Sequence, residues 1–161
     1  MVRSITVLCV GKLKEEYWRR AAAEYQKRLA PYCRLTVTEV EEERAPEDPS
    51  PGEIARVLEA EGDRLLAKIP AGDAVFALCI EGREMTSPAL AQTLDKLAVE
   101  GVSQAVFLIG GSWGLCNRVK AAARWRLSMS PMTFPHQLAR VMLLEQIYRA
   151  HKINAGEKYH K

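Results

Sequence analysis

Ala105-Val106-Phe107-Leu108-Ile109-Gly110-Gly111-Ser112-Trp113-Gly114-Leu115 is the stretch on which the fold turns: five apolar residues run into a glycine-rich turn and out into a helix. An apolar run this short, closed by glycine, reads as a strand buried on both faces. A strand that feeds a helix through a tight turn is the repeating unit of a parallel α/β sheet. The same pattern flanks it on both sides. Ser4–Val10 is a second apolar strand, ended by Gly11, and Ala74–Ile80 is a third. Leu35–Val40 alternates as a strand does, and Trp125–Ser128 is a brief one.

Helices fill the intervals. Trp18, Ala21, Ala22, Tyr25 and Leu29 recur at helical spacing over Glu15–Leu29, and Pro31 stops that helix. Ile54, Val57, Leu58, Leu65 and Leu66 mark a second over Gly52–Lys68, after an acidic, proline-bearing loop at Glu41–Pro51. Ser87 is placed as the N-cap of a third, which Gly101 closes. Short and long helices follow at Leu115–Ala123 and Gln137–Lys152. The expected fold class is α/β, a mostly parallel sheet with helices on both faces, in one domain over residues 1–161.

Composition narrows the class. With 48% hydrophobic and 27% charged residues, the 161-residue chain is that of an ordinary globular protein. No apolar run approaches the length of a membrane span, so no membrane partner is expected. Cys9, Cys33, Cys79 and Cys116 are scattered without a C-x-x-C pair, which points to free thiols, a cytoplasmic location and no metal. The net charge of +3 conceals an asymmetry. Residues 1–114 hold 14 Lys+Arg against 18 Asp+Glu, whereas residues 115–161 hold 9 against 2. A basic end suggests a polyanionic partner.

Three segments could carry chemistry. The Gly110–Gly114 turn would let a ligand approach the backbone, although G-G-x-x-G is neither the dinucleotide fingerprint nor a phosphate loop. The end of the Ala74–Ile80 strand, with Leu78 and Glu81–Glu84, faces the crevice where open α/β sheets bind ligands. Leu127–His136 is an apolar loop, rich in proline and serine, that suits a pocket wall. The long helix after it is apolar nearly all round, which suggests burial against a second subunit as well as its own sheet. Its Arg140 and Arg149, with Tyr159, His160 and Lys161 of the tail, combine cations with an aromatic ring, as contact with unpaired bases and phosphates requires.

L-I-G-G-S-W-G-L at Leu108–Leu115, L-S-M-S-P-M-T-F-P-H at Leu127–His136 and the ending R-V-M-L-L-E-Q-I-Y-R-A…Y-H-K together resemble the ribosomal RNA large subunit methyltransferase H family, of the SPOUT class. The resemblance spans essentially the whole chain. It implies a C-terminal trefoil knot, a homodimer, S-adenosylmethionine as cofactor, and methylation of N3 of a pseudouridine in a stem-loop of large-subunit rRNA, free or within the ribosome. It also implies that Leu78, Gly110, Met129, Ser130, Pro131, Met132, Thr133 and Phe134 line the cofactor site. His136, at the mouth of that loop, is a candidate general base or base-positioning group, or else a residue of the helix cap region. Trp113 and Cys79 depart from the family pattern: the turn usually carries a smaller or more polar residue, and an Asp often follows the strand-end Leu. Two rival classes are an RNA-binding module without catalysis and a nucleotide-binding oxidoreductase.

Overall fold

The computed structural model describes residues 1–159; His160 and Lys161, both assigned above to RNA, lie outside the described residues. Five strands and five helices alternate along it: β1 (Ser4–Val10), α1 (Glu16–Leu29), β2 (Arg34–Val40), α2 (Pro51–Leu66), β3 (Ala74–Glu84), α3 (Ser87–Val99), β4 (Gln104–Ile109), α4 (Asn117–Ala122), β5 (Trp125–Ser128) and α5 (His136–Asn154). The strands form one sheet in the order β2-β1-β4-β3-β5, and each neighbouring pair is parallel.

The apolar runs are continuous because both sheet faces are covered. Along β4, Ala105, Phe107 and Ile109 pack toward α1, α3 and α5, while Val106 and Leu108 pack toward α2 and α4. Phe76 of β3 lies flat between Phe107 and Trp125, with ring centroids 4.5 and 4.3 Å away. This stack ties β5 to the sheet centre and thereby anchors the loop that follows it.

Two local expectations are corrected. Thr86, not Ser87, caps α3: its hydroxyl accepts the Ala89 N–H at 3.2 Å, and Ser87 is the first helical residue. The Ser87 hydroxyl instead bonds Oε1 of Gln146 on α5 at 2.6 Å. Strand β3 runs on past Ile80 to Glu84, because a bulge between Leu78 and Arg83 lets both pair with Leu127 of β5. Gly82 permits this return, since a Cβ there would lie 2.6 Å from the Arg126 carbonyl oxygen. The bulge pushes Leu78–Glu81 out at the carboxyl end of the sheet.

His151 of α5 is 5% exposed, and its Nε2 has no hydrogen-bond partner. Burial, reinforced by the positive chain terminus, pushes its imidazole down to about 4 from the usual 6.5. A depressed imidazole favours the neutral form, so its contribution to stability is full above pH 6.5 and fades as the pH falls toward 4. Thermal melts across that window should therefore decline more steeply for the wild type than for His151→Phe. Parallel declines would show that the imidazole does not titrate on unfolding.

Candidate functional site

At the carboxyl ends of β4, β3 and β5, three segments far apart in the chain surround one cleft of about 780 Å3: Leu78–Glu81, Ile109–Leu115 and the stretch from Leu127 to Ala139. That volume suits a cofactor-sized molecule. Of the cofactor residues expected from sequence, Leu78, Gly110, Met129, Ser130, Met132, Thr133 and Phe134 line the cleft, as does His136. Pro131, expected there as well, is exposed and turns the loop between Ser130 and Met132 without lining the cleft itself.

Backbone geometry dominates two of the walls. Gly111 and Gly114 bridge across their turn, with the Gly114 N–H 3.1 Å from the Gly111 carbonyl, and Gly114 has φ +88°. A Cβ on Gly110 would lie 2.5 Å from the Gly114 carbonyl carbon, so only glycine fits there. Opposite, the Ser128 hydroxyl donates to the Ser130 carbonyl at 3.1 Å, and the Ser130 hydroxyl accepts the Met132 N–H at 3.0 Å. These local bonds hold an apolar loop open where it would otherwise collapse.

His136 is the first residue of α5, after Pro135 as N-cap, so its side chain does not cap the helix. It is partly buried. Burial lowers its pKa, with nearby Arg140 acting in the same sense and Glu42 against it. At neutral pH the imidazole is therefore uncharged, with a lone pair free to accept a proton. Sequence reasoning missed Lys120, which lines the cleft and forms an ion pair with Glu81. That hydrogen bond holds the Glu81 carboxyl below the usual range. Its only signal was a lysine one turn into the helix after the glycine-rich turn. Ile80, Trp113 and Met132 line the same cleft yet are exposed, which makes its rim apolar.

The basic end does not form an unopposed cationic face. Acids from earlier in the chain fold back onto it: Glu59 and Asp63 on Arg118, Glu81 on Lys120, Glu100 on Arg124 and Glu39 on Arg140. Arg140, expected above at a nucleic-acid surface, is 3% exposed, with its guanidinium held inside the fold. Its guanidinium donates to Glu39 Oε2 at 2.7 Å and to the Gly11 carbonyl at 3.1 Å. Arg149 pairs with Glu145 and lies over the ring of Tyr159, 4.8 Å from its centroid. Tyr159 packs edge-on against Tyr148 rather than projecting from a free tail, and its hydroxyl donates to Glu145 at 3.3 Å. Among the described residues, Arg126 and Lys158 make no ion pair.

Among the described residues no group of three or more His, Cys, Asp or Glu is placed to hold a metal ion, and no helix is long and apolar enough to cross a membrane. A family model described as a predicted SPOUT methyltransferase matches residues 3–160. Among solved structures, the chain is similar to a probable methylase family protein from Haemophilus influenzae Rd KW20, with a TM-score of 0.57 and 13% identity over 100% of this chain and 72% of that one. At that identity the likeness speaks for the fold alone.

Proposed function

The chain belongs to the predicted SPOUT methyltransferase family, and from that premise we propose that it methylates N3 of a pseudouridine in a stem-loop of large-subunit (23S) rRNA, using S-adenosylmethionine bound in the cleft at the carboxyl ends of β3, β4 and β5. The observation that carries this reading is the convergence of the Gly110–Gly114 turn and the Met129–Phe134 loop on one cleft. The glycine cradle fits the proposed cofactor: it offers backbone groups at a wall where a Cβ on Gly110 would clash with the Gly114 backbone. Around it, the reading includes a trefoil knot closed by the segments from β4 to α5. It also includes a homodimer that covers the half-buried Val141 and Met142, which line a second groove with Tyr25 and Met85.

When bound, S-adenosylmethionine supplies an activated methyl group on a sulfonium. The protein's task is then alignment and exclusion of water. The Met129–Phe134 loop and Leu78 provide apolar wall, and the rim residues Trp113 and Ile80 offer flat and aliphatic surface to an incoming base. His136, neutral and at the mouth, accepts the N3 proton as the base becomes a nucleophile. Arg126, exposed on β5, together with Arg149, supplies contacts to phosphate, and the cytoplasm is where such a substrate is met.

Incubating the protein with labelled S-adenosylmethionine and ribosomes that lack the modification, then mapping the rRNA by mass, tests the reaction directly. Label on another base would overturn the substrate; no binding of the donor by calorimetry would favour an RNA-binding module without catalysis. His136→Ala should lower kcat on the order of 100-fold while leaving donor affinity unchanged. The wild-type rate should also fall on the acid side, below the ordinary histidine range, because the imidazole must be neutral to accept a proton. An unaltered kcat in the variant removes His136 from the chemistry.

A further inference from the structure

Glu61 lies on α2, which contributes no lining residue to the cleft, yet its carboxyl sits directly behind the glycine-rich wall. The approach depends on Gly62: a Cβ there would stand 2.7 Å from Cys116 Sγ and 3.1 Å from Val119 Cγ2, so its absence lets α2 settle onto the start of α4. A Cβ on Gly111 would in turn lie 3.5 Å from both carboxyl oxygens of Glu61. Gly111 is itself a cleft residue. One thickness of backbone, with no side chain, therefore separates the carboxyl from the cleft.

That carboxyl is 3% exposed and only half satisfied. Oε2 accepts the Glu43 N–H at 3.1 Å, whereas Oε1 has no partner. The nearest cation on its own helix, Arg64, is engaged by Glu43 and the Glu41 carbonyl. Burial raises the Glu61 pKa most, the Glu43 N–H opposes it, Glu42 raises it, Arg64 lowers it, and Glu43 adds a smaller upward push. From the α4 side, the Cys116 thiol and the Arg118 guanidinium face the neighbouring Gly62. A buried carboxylate that makes no ion pair of its own is costly, and only the Gly111 backbone lies between it and the cleft.

We propose that Glu61 is a selectivity residue that favours the cationic sulfonium donor over the neutral thioether product. The inference rests on the methyltransferase reading and deepens it. S-adenosylmethionine and S-adenosylhomocysteine share adenosine, amine and carboxylate; they differ in one methyl group and its positive charge. A carboxylate behind Gly111 attracts the charged sulfur and is indifferent to the neutral one, so it strengthens donor binding and lets product leave. Acting through one thickness of backbone, one unit charge shifts affinity by roughly tenfold.

Calorimetry on the full chain tests this. Glu61→Gln keeps the shape and the acceptor for the Glu43 N–H but removes the charge. The expected result is S-adenosylmethionine binding about tenfold weaker, with S-adenosylhomocysteine within twofold of wild type. Equal weakening of both would mean that Glu61 only props the turn, and no change in either would mean that its charge is not felt; each overturns the inference and leaves the methyltransferase reading standing. A wild-type protein that binds neither ligand overturns both. Should Glu61→Gln fail to fold, the carboxyl carbon of Glu61 in the wild type can be followed by NMR as pH is varied. Saturating donor should lower its pKa and saturating product should not; identical titrations overturn the inference.

Discussion

Gly110→Ala is expected to weaken S-adenosylmethionine binding by at least about 100-fold while the sheet survives. The added Cβ would lie 2.5 Å from the carbonyl carbon and 3.0 Å from the Cα of Gly114, and both are backbone atoms. No rotamer change relieves that overlap. The turn must open, but Gly114 is pinned by its bond to the Gly111 carbonyl and by a φ of +88°. A displacement near 1 Å at the cradle is enough to misplace a bound donor against the Met129–Phe134 loop. Strand β4 ends at Ile109, so the core beneath should lose little, and a melting point within a few degrees of wild type would separate loss of binding from loss of fold. Gly52→Ala is the matched control: in the first turn of α2, its added Cβ meets nothing nearer than 4.0 Å. A Gly110→Ala protein that folds and binds the donor at wild-type strength would mean that the donor site lies elsewhere.

The cleft was legible because its walls are written in residues with few other uses. Glycines after a buried strand, and an apolar loop between prolines, each signal backbone placed for a ligand before any contact is known. The strands were legible for a similar reason, since a sheet covered on both faces needs continuous apolar runs. What escaped was set by partners distant in sequence. The extension of β3 to Glu84 depends on Gly82 passing over the Arg126 carbonyl, which no local pattern announces. Thr86 and Ser87 are equally good caps on paper; Gln146, 59 residues away, draws Ser87 into a different bond. Charge misled most. The contrast between an acidic front and a basic end is real along the chain, but folding sets Glu39, Glu59, Asp63, Glu81 and Glu100 against the cations it counted. Linear segregation of charge therefore does not by itself mark a free cationic face, because the two halves pair with each other here.

Arg140 turns that lesson into a measurable consequence. Arg140→Met should destabilise the protein by about 3 kcal/mol, because it leaves a carboxylate and a buried carbonyl without their donor. Glu39 is still 34% exposed at its side chain and can recruit water, which places the loss at the low end for a broken buried pair. For a chain of this length, that corresponds to a fall in Tm of roughly 6–12 °C. Adding Glu39→Gln should recover part of the loss, since the stranded charge is then gone. A contact to nucleic acid would give the opposite pattern, with unchanged melting and weaker binding. The site would feel the change as well. Arg140 lies one helical turn after His136 and fastens that end of α5 to the end of β1 at Gly11. Its cation also depresses the His136 imidazole, so in Arg140→Met the histidine pKa should rise, with Glu42 now acting unopposed by that charge. The acid limb of the pH–rate profile should therefore move to higher pH in whatever fraction stays folded. A profile that stays in place, in a protein whose Tm has dropped, would confine Arg140 to holding the fold.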